Sequence, residues 1–248
     1  MNIPTSQLPR IVIVGAGFAG LSLARKLMAK HLFQVVLIDK NNYHQFQPLF
    51  YQVAMAGLEP SSISFPLRRV LRSDAHVYIR IAEVLSVDPV LNMIITDIGS
   101  LVYDYLILAT GAKTNFFGNT NIEKIALTLK SLSEALLVRN TILDHYESAL
   151  EEADVEKRQG YVDIVIIGGG PSGVELAGSL AEMKKYILPK EYNELNPKEV
   201  DIYLIEANAN ILASMSKKAS QAAEKYLHKM GVVVMKNNRV SNVDTDFV

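Results

Sequence analysis

Short apolar runs, each followed by a glycine-rich turn and a helical pattern, are the clearest feature of the chain. Residues 11–14 (Ile-Val-Ile-Val) lead directly into Gly-Ala-Gly-Phe-Ala-Gly, and residues 164–167 (Ile-Val-Ile-Ile) lead into Gly-Gly-Gly-Pro-Ser-Gly. Continuous apolar runs of this length predict strands that are buried on both faces of a parallel sheet. After each turn, apolar residues recur with helical spacing. They are Leu21, Ala24, Leu27 and Met28 in the first copy, and Val174, Ala177, Leu180 and Ala181 in the second.

Each copy continues into a second apolar strand that ends in an acidic residue. Residues 35–39 end in Asp39, and residues 202–206 end in Glu206. A strand, a glycine turn, a helix, a second strand and an acid form the fingerprint of a dinucleotide-binding unit. The internal repeat therefore predicts two nucleotide sites, in which each acid accepts hydrogen bonds from ribose hydroxyls.

The glycines occupy the three positions that this fingerprint requires. The first permits a tight turn, the second lets the backbone approach a pyrophosphate, and the third lets helix and strand pack closely. The helix N-terminus then offers free N–H groups and a partial positive charge to the phosphates. These glycines are Gly15, Gly17 and Gly20 in the first copy, and Gly168, Gly170 and Gly173 in the second.

The interval between the third glycine and the acid is longer in the second copy than in the first. The extra residues lie in the polar stretch 184–200, which contains Pro189 and Pro197. This composition predicts an extended helix end followed by a loop.

The region between the two copies predicts further strands. Residues 76–98 alternate and are rich in valine and isoleucine, which predicts a small meander of strands. Residues 103–111 predict another buried strand that ends in a turn of small residues.

Two further helices have clear end signals. Ser131 and Glu134 form a capping box that predicts the start of a long helix. Residues 216–230 predict a helix that is closed by Gly231 and followed by a strand at 232–235.

Composition narrows the chemistry. With 25 basic and 26 acidic residues among 248, the chain lacks the basic excess of a nucleic-acid-binding protein. It has no cysteine, which excludes disulfides, thiolate metal sites and redox-active thiol pairs. We find neither a metal-binding constellation nor a secretory signal, and the longest apolar runs are far shorter than the ~20 residues of a membrane span. The sequence therefore predicts a soluble α/β protein.

On the basis of these motifs, the chain resembles the type II NADH:quinone oxidoreductases across essentially its whole length. These proteins are single-subunit respiratory flavoenzymes. The residues that carry the resemblance are 14–20, 42–54, 108–118 and 168–178. The glycine motifs are common to many flavoproteins, whereas segments 44–54 and 111–118 are more particular to this family.

The resemblance implies two Rossmann-like units with a small β-meander: an FAD-binding domain at 1–118 and an NADH-binding domain at 119–248. It implies an enzyme that passes a hydride from NADH to FAD and on to a membrane quinone. The implied FAD contacts are Gly15, Gly17, Phe18, Ala19, Gly20, Asp39, Lys40, His44, Gln47, Ala109, Thr110 and Gly111. The implied NADH contacts are Gly168, Gly170, Pro171, Ser172, Gly173, Glu175 and Glu206.

Some of these roles have a plain structural alternative. Glu175 matches a family glutamate that lies near the nicotinamide, and the less favoured alternative is an ordinary glutamate on a helix surface. His44 and Gln47 could serve only in loop packing. The remaining histidines are expected to be structural; they are His31, His76, His145 and His228.

The chain departs from the family pattern in two respects. Family members carry a Gly-Asp motif that contacts FAD, and no glycine is followed by aspartate here. They also carry C-terminal helices that dock on the membrane, whereas this sequence stops at Val248. We therefore expect a C-terminally truncated chain of impaired activity. The full-length protein is expected in the cytoplasm, peripheral on the inner face of the cell membrane, and a homodimer is compatible with the resemblance.

Glu206 favours NADH over NADPH. A carboxylate ~4 Å from a 2′-phosphate would cost ~4 kcal/mol per unit charge at an effective dielectric constant of ~20. Even after solvent halves this figure, discrimination would exceed tenfold.

Other flavoenzyme classes share the predicted skeleton. Disulfide reductases and sulfide:quinone oxidoreductases work through cysteines, so the absence of cysteine disfavours both. Ferredoxin-reductase and apoptosis-inducing-factor-like NADH oxidoreductases remain the main alternative, because they need no thiol. A non-catalytic redox sensor that binds NADH without a flavin is a third possibility.

Overall fold

The computed structural model describes residues 1–71 and 76–244. Its strands are β1 Arg10–Val14, β2 Gln34–Asp39, β3 Tyr43–Gln45, β4 Ser64–Pro66, β5 Val77–Ile81, β6 Val84–Asp88, β7 Met93–Thr96, β8 Gly99–Val102, β9 Tyr105–Leu108, β10 Ile164–Ile167, β11 Ile202–Glu206 and β12 Val233–Lys236. Its helices are α1 Phe18–Met28, α2 Phe50–Ala54, α3 Leu67–Val70, α4 Thr120–Ile125, α5 Leu132–Glu151, α6 Val155–Val162, α7 Pro171–Tyr186, α8 Leu188–Glu191 and α9 Lys217–Lys229. Short 3₁₀ turns lie at Gln47–Leu49, Pro60–Ser62 and Pro197–Glu199.

The chain folds into two compact units. Unit 1 combines Met1–Phe46 with the described part of Ser61–Lys113, and unit 2 combines Gln47–Pro60 with the described residues from Thr114 onward. Each unit is built on a parallel sheet, which confirms the predicted α/β class with two Rossmann-like units.

The sheet of unit 1 has the strand order β5-β2-β1-β9, and all of its pairings are parallel. Both faces of the central strand β1 are covered. Ile11 and Ile13 pack on one face with residues of α1 and α3, and Val12 and Val14 pack on the other with residues of the meander. Full burial of side chains such as Val12 and Ile13 contributes about 1.5–3 kcal/mol each. The two covered faces explain why β1 is a continuous apolar run.

The meander in unit 1 differs from the prediction. It consists of β6, β7 and β8 in antiparallel pairing, so it ends at Val102. The prediction that it begins at residue 76 was wrong, because β5 pairs in parallel with β2 and belongs to the main sheet. Local alternation reveals a strand but not the distant strand with which it pairs.

The strand predicted within residues 103–111 is β9, but it is not buried. Tyr105 is 55% exposed and Leu108 is 64% exposed. Among the described residues β9 pairs only with β1, so it forms an edge of the sheet.

The sheet of unit 2 has the strand order β10-β11-β12, again in parallel. Helix α7 packs on β11, and α9 packs on β12. The prediction that β10 is buried on both faces was wrong: Ile166 is buried, whereas Val165 and Ile167 are 37% and 43% exposed. β10 lies at the edge of the described sheet, paired only with β11.

The predicted helix ends are confirmed in unit 2. The Ser131 hydroxyl accepts a hydrogen bond from the N–H of Glu134 (3.2 Å), while the Glu134 carboxylate accepts one from the N–H of Lys130 (2.5 Å). Ser216 caps α9, and Gly231 follows it with a φ of +85°.

In the polar stretch 184–200, α7 extends to Tyr186 and is followed by the short helix α8 and a 3₁₀ turn. Helix α2 packs against α5 and α7.

Candidate functional site

In unit 1, two of the three predicted glycines are required by the protein itself. Gly15 follows β1 with a φ of +102°, and its N–H donates to the Ile38 carbonyl (2.7 Å). A Cβ at Gly15 would overlap the Ala109 carbonyl, and a Cβ at Gly20 would overlap the carbonyl of Gly15. A side chain at Gly15 or Gly20 would therefore block the turn or force α1 away from the sheet.

Gly17 is different, because none of the described residues requires a glycine there. Its φ of −69° and ψ of −165° are accessible to any residue, and an added Cβ would meet no atom within 4 Å. Gly17 is the N-cap of α1, and among the described residues no side chain caps this helix. The first N–H groups of the helix are therefore available beside an open space, as a phosphate site requires.

Asp39 lies at the end of β2, next to this turn. One carboxylate oxygen accepts a hydrogen bond from the Ala16 N–H (2.6 Å), and the other accepts one from the Asn41 N–H (2.8 Å). The adjacent Lys40 forms an exposed ion pair with Glu83.

The segment after β9 also borders the first turn. The Ala109 N–H donates to the Val14 carbonyl (2.8 Å), which holds Ala109 beside Gly15. Gly111 has a φ of +73°, and a Cβ there would meet nothing within 4 Å. The predicted residues Thr110 and Gly111 are thus brought to the edge of the sheet that carries the glycine turn.

Unit 2 repeats this geometry. Gly168 has a φ of +111° and donates to the Ile205 carbonyl (2.8 Å), and a Cβ at Gly173 would overlap the Gly168 carbonyl. Gly170 is the N-cap of α7, with a φ of −73° and a ψ of −179°, and an added Cβ would meet nothing within 4 Å. Pro171 takes the first position of α7, where its missing N–H costs nothing.

Glu206 is held more firmly than Asp39. One carboxylate oxygen accepts from the Gly169 N–H (2.7 Å), and the other accepts from the backbone N–H (2.7 Å) and side-chain amide (2.6 Å) of Asn208. A Cβ at Gly169 would lie 2.8 Å from Ile211 and 3.1 Å from Glu206. Sequence reasoning missed Gly169 and Asn208. The run of three consecutive glycines was the available signal for the first, whereas nothing in the sequence marked the second.

Unit 2 also contains a pocket of about 270 Å³ at the start of α7. It brings together Gln47, Ser172 and Glu175, which were all predicted site residues. Partial desolvation in the pocket raises the pKa of Glu175 above its ordinary value, although the side chain is still exposed. The other lining residues, most of them missed from the sequence, are Pro48, Phe50, Tyr51, Leu129, Lys130 and Pro171.

The described residues contain neither a metal-binding cluster nor a membrane-spanning helix. No group of three or more histidine, aspartate and glutamate side chains in residues 1–71 and 76–244 could hold a metal ion. In the same residues, no helix is both long enough and apolar enough to cross a bilayer.

With this geometry established, comparison with known proteins gives consistent matches. A family model described as pyridine nucleotide-disulphide oxidoreductase matches residues 9–247. Type II NADH:quinone oxidoreductase Ndh of Mycobacterium tuberculosis is 34% identical, covering 97% of this chain and 53% of the relative. The mitochondrial external alternative NAD(P)H-ubiquinone oxidoreductase B1 of Solanum tuberosum is 30% identical, covering 100% of this chain and 45% of the relative.

A solved structure agrees with these sequence matches. NDH2 from Plasmodium falciparum in complex with NADH superposes with a TM-score of 0.90 at 27% identity, covering 96% of this chain and 50% of that one. This chain spans about half the length of the curated relatives it matches.

Proposed function

Because the chain belongs to the pyridine nucleotide-disulphide oxidoreductase family, we propose that it is an FAD-dependent NADH dehydrogenase that passes electrons on to a quinone. The observation that carries the proposal is the contrast among the glycines of each turn. For Gly17 and Gly170, neither the backbone conformation nor a steric contact within the described part of the chain requires a glycine. The close approach of a bound pyrophosphate supplies that reason in both units.

We assign FAD to the first turn and NADH to the second, with an FAD-binding domain at residues 1–118 and an NADH-binding domain at 119–248. In this assignment the start of α1 binds the FAD pyrophosphate, and Asp39 binds the adenosine ribose. The segment Ala109 to Gly111 lies against the same turn, which supports its role in FAD binding.

The start of α7 and Glu206 bind NADH in the same way. The Glu206 carboxylate is fixed by three N–H donors, so it cannot turn away from a 2′-phosphate without losing them. This supports a preference for NADH over NADPH.

The cofactors supply the redox chemistry, and the protein binds and orients them. Glu175 lies one turn into α7, in a pocket that can admit a nicotinamide, and its carboxylate can accept hydrogen bonds from an amide. Gln47 lines the same pocket, which supports a role near the reacting groups. The chain has no cysteine, so its own residues cannot perform the thiol chemistry of disulfide reductases.

The quinone acceptor is supported by the names of the relatives from Mycobacterium tuberculosis and Solanum tuberosum. Docking on the inner face of the cell membrane and formation of a homodimer are proposed from the family resemblance alone.

Flavin absorbance and acceptor assays test the function. We expect the full chain, reconstituted with FAD, to be yellow and to bleach when NADH is added without oxygen. A ubiquinone or menaquinone analogue should then restore the colour faster than ferredoxin does. Faster reoxidation by ferredoxin would favour the ferredoxin-reductase alternative, and NADH binding without any FAD binding would favour a redox sensor.

A further inference from the structure

We propose that His44 is a positioning residue for the FAD pyrophosphate, acting through the peptide bond between Ala16 and Gly17. This inference rests on the proposed binding of FAD at the turn of unit 1. It assigns His44 a role different from direct contact with the cofactor and different from loop packing.

His44 is bonded directly to the glycine turn. It lies on β3, is 9% exposed, and its Nδ1 is 2.9 Å from the carbonyl oxygen of Ala16. A carbonyl oxygen can only accept, so Nδ1 must carry a proton and donate it, whether the ring is neutral or charged. Ala16 is itself 2% exposed, so this carbonyl would be poorly hydrated without His44.

The geometry of the peptide bond transmits this contact to the cofactor side. In a trans peptide the C=O of one residue and the N–H of the next point in opposite directions. The described peptide bonds are all trans. By holding the Ala16 carbonyl, His44 therefore directs the Gly17 N–H the opposite way. Meanwhile the N–H of Ala16 is held by Asp39, so both peptide groups of Ala16 are fixed.

Unit 2 fixes the same peptide by different means. Gly169 occupies the position of Ala16, and its N–H donates to Glu206. Its carbonyl accepts a hydrogen bond from the backbone N–H of Leu212 (2.7 Å), a residue in the strained left-handed region with a φ of +50°. The carbonyl at this position is thus held in both units, by an imidazole in unit 1 and by a backbone N–H in unit 2. This recurrence argues that the orientation is a requirement of the turn.

The aromatic neighbours keep the imidazole in place. Phe18 packs edge-on against His44, with ring centroids 5.3 Å apart, and against Phe46, with centroids 5.4 Å apart. Phe18 is itself part of the glycine motif, so the ring and the turn it holds are packed together.

A matched pair of variants tests the proposal. In His44→Asn the side-chain amide can take the place of Nδ1 and keep the bond to Ala16, whereas in His44→Gln it reaches the place of Nε2 and loses that bond. FAD and ADP affinities are measured by titrating the FAD-free full chain. ADP carries the adenosine and the pyrophosphate but no flavin. It is titrated in the presence of saturating NADH, so that the turn of unit 2 is already occupied and ADP reports on the turn of unit 1.

We expect His44→Gln to weaken FAD and ADP by the same factor, about tenfold, and His44→Asn to bind both nearly as the wild type does. NADH affinity should be unchanged in both variants, because Leu212 supplies the corresponding donor in unit 2. The thermal unfolding midpoint of each FAD-free variant shows whether unit 1, which carries His44, is folded.

Three results would overturn the proposal. The first is a His44→Gln variant that binds FAD as tightly as wild type, and the second is a His44→Gln variant that loses FAD affinity but keeps ADP affinity. The third is a folded His44→Asn variant that loses affinity for both FAD and ADP. The second result would show that His44 contacts the flavin. If His44→Gln does not fold, the ADP affinity of His44→Asn decides alone. A wild-type chain that binds neither FAD nor ADP would instead contradict the proposed function, and this inference with it.

Discussion

Substitution of Gly17 by alanine should separate cofactor binding from folding. The new methyl group would meet no protein atom within 4 Å, and the backbone conformation is open to alanine. Alanine in place of glycine at an N-cap costs about 0.5–1 kcal/mol. The reduced freedom of the unfolded chain offsets about 0.4–1 kcal/mol of this. The two effects nearly cancel, so we expect the free energy of unfolding of the FAD-free protein to change by no more than about 0.6 kcal/mol in either direction.

Binding should change far more than stability. The methyl group would occupy the space beside the first N–H groups of α1, where we place the pyrophosphate. A hydrogen bond to a charged group contributes about 1.5–3 kcal/mol. Loss of one such bond would weaken FAD binding about 10- to 150-fold. NADH binding should be unaffected, because its proposed turn lies in unit 2.

FAD titration and thermal unfolding of the FAD-free protein measure the two effects separately. Gly20→Ala is the matched control: it adds the same methyl group to the same turn, but there it overlaps the backbone carbonyl of Gly15. We expect that control to unfold at a markedly lower temperature. If Gly17→Ala binds FAD as tightly as wild type, the open space beside Gly17 is not the pyrophosphate site and the reasoning is refuted.

Three further outcomes are expected. Glu206→Arg should weaken NADH binding and raise the relative affinity for NADPH, as measured by titration with both nucleotides; no change in either affinity would contradict the role of the carboxylate. Because desolvation raises the pKa of Glu175, the ionised side chain destabilises the folded state, and stability is lost as pH rises through that raised pKa. Glu175→Gln should therefore be more stable than wild type at neutral pH, with the difference vanishing in acid unfolding curves below the pKa of the unfolded chain. Burial raises the pKa of Tyr146 to about 12, whereas the unfolded chain ionises near pH 10.0. Stability should therefore fall between pH 10.0 and 12, and alkaline denaturation of Tyr146→Phe should show a smaller loss.

Local sequence signals were enough to locate both glycine turns. The predicted strands at 164–167 and 202–206 coincide with β10 and β11, because an apolar run and its flanking turn residues are neighbours along the chain. The capping residues Ser131 and Ser216 were visible for the same reason, since a cap acts within three or four residues.

Contacts between distant residues explain what the sequence did not reveal. The bond between His44 and Ala16 depends on how β3 lies against the glycine turn, and the pairing of β5 with β2 depends on the whole sheet. The exposure of β10 depends on the elements that cover each face, which an apolar run does not specify. The hydrogen bond from the Asn208 amide to the Glu206 carboxylate joins residues that are close in sequence. Asparagine is too common after a strand, however, for its presence to predict that bond.

The position of α2 has a consequence for dissecting this protein into pieces. This helix lies early in the chain, yet Phe50, Val53 and Ala54 are buried in unit 2, where α2 packs against α5 and α7. Expression of only the second half would omit the helix and leave the apolar surfaces of α5 and α7 uncovered. An excised nucleotide-binding module would therefore need residues 47–60 supplied as a peptide or grafted by circular permutation to remain monodisperse.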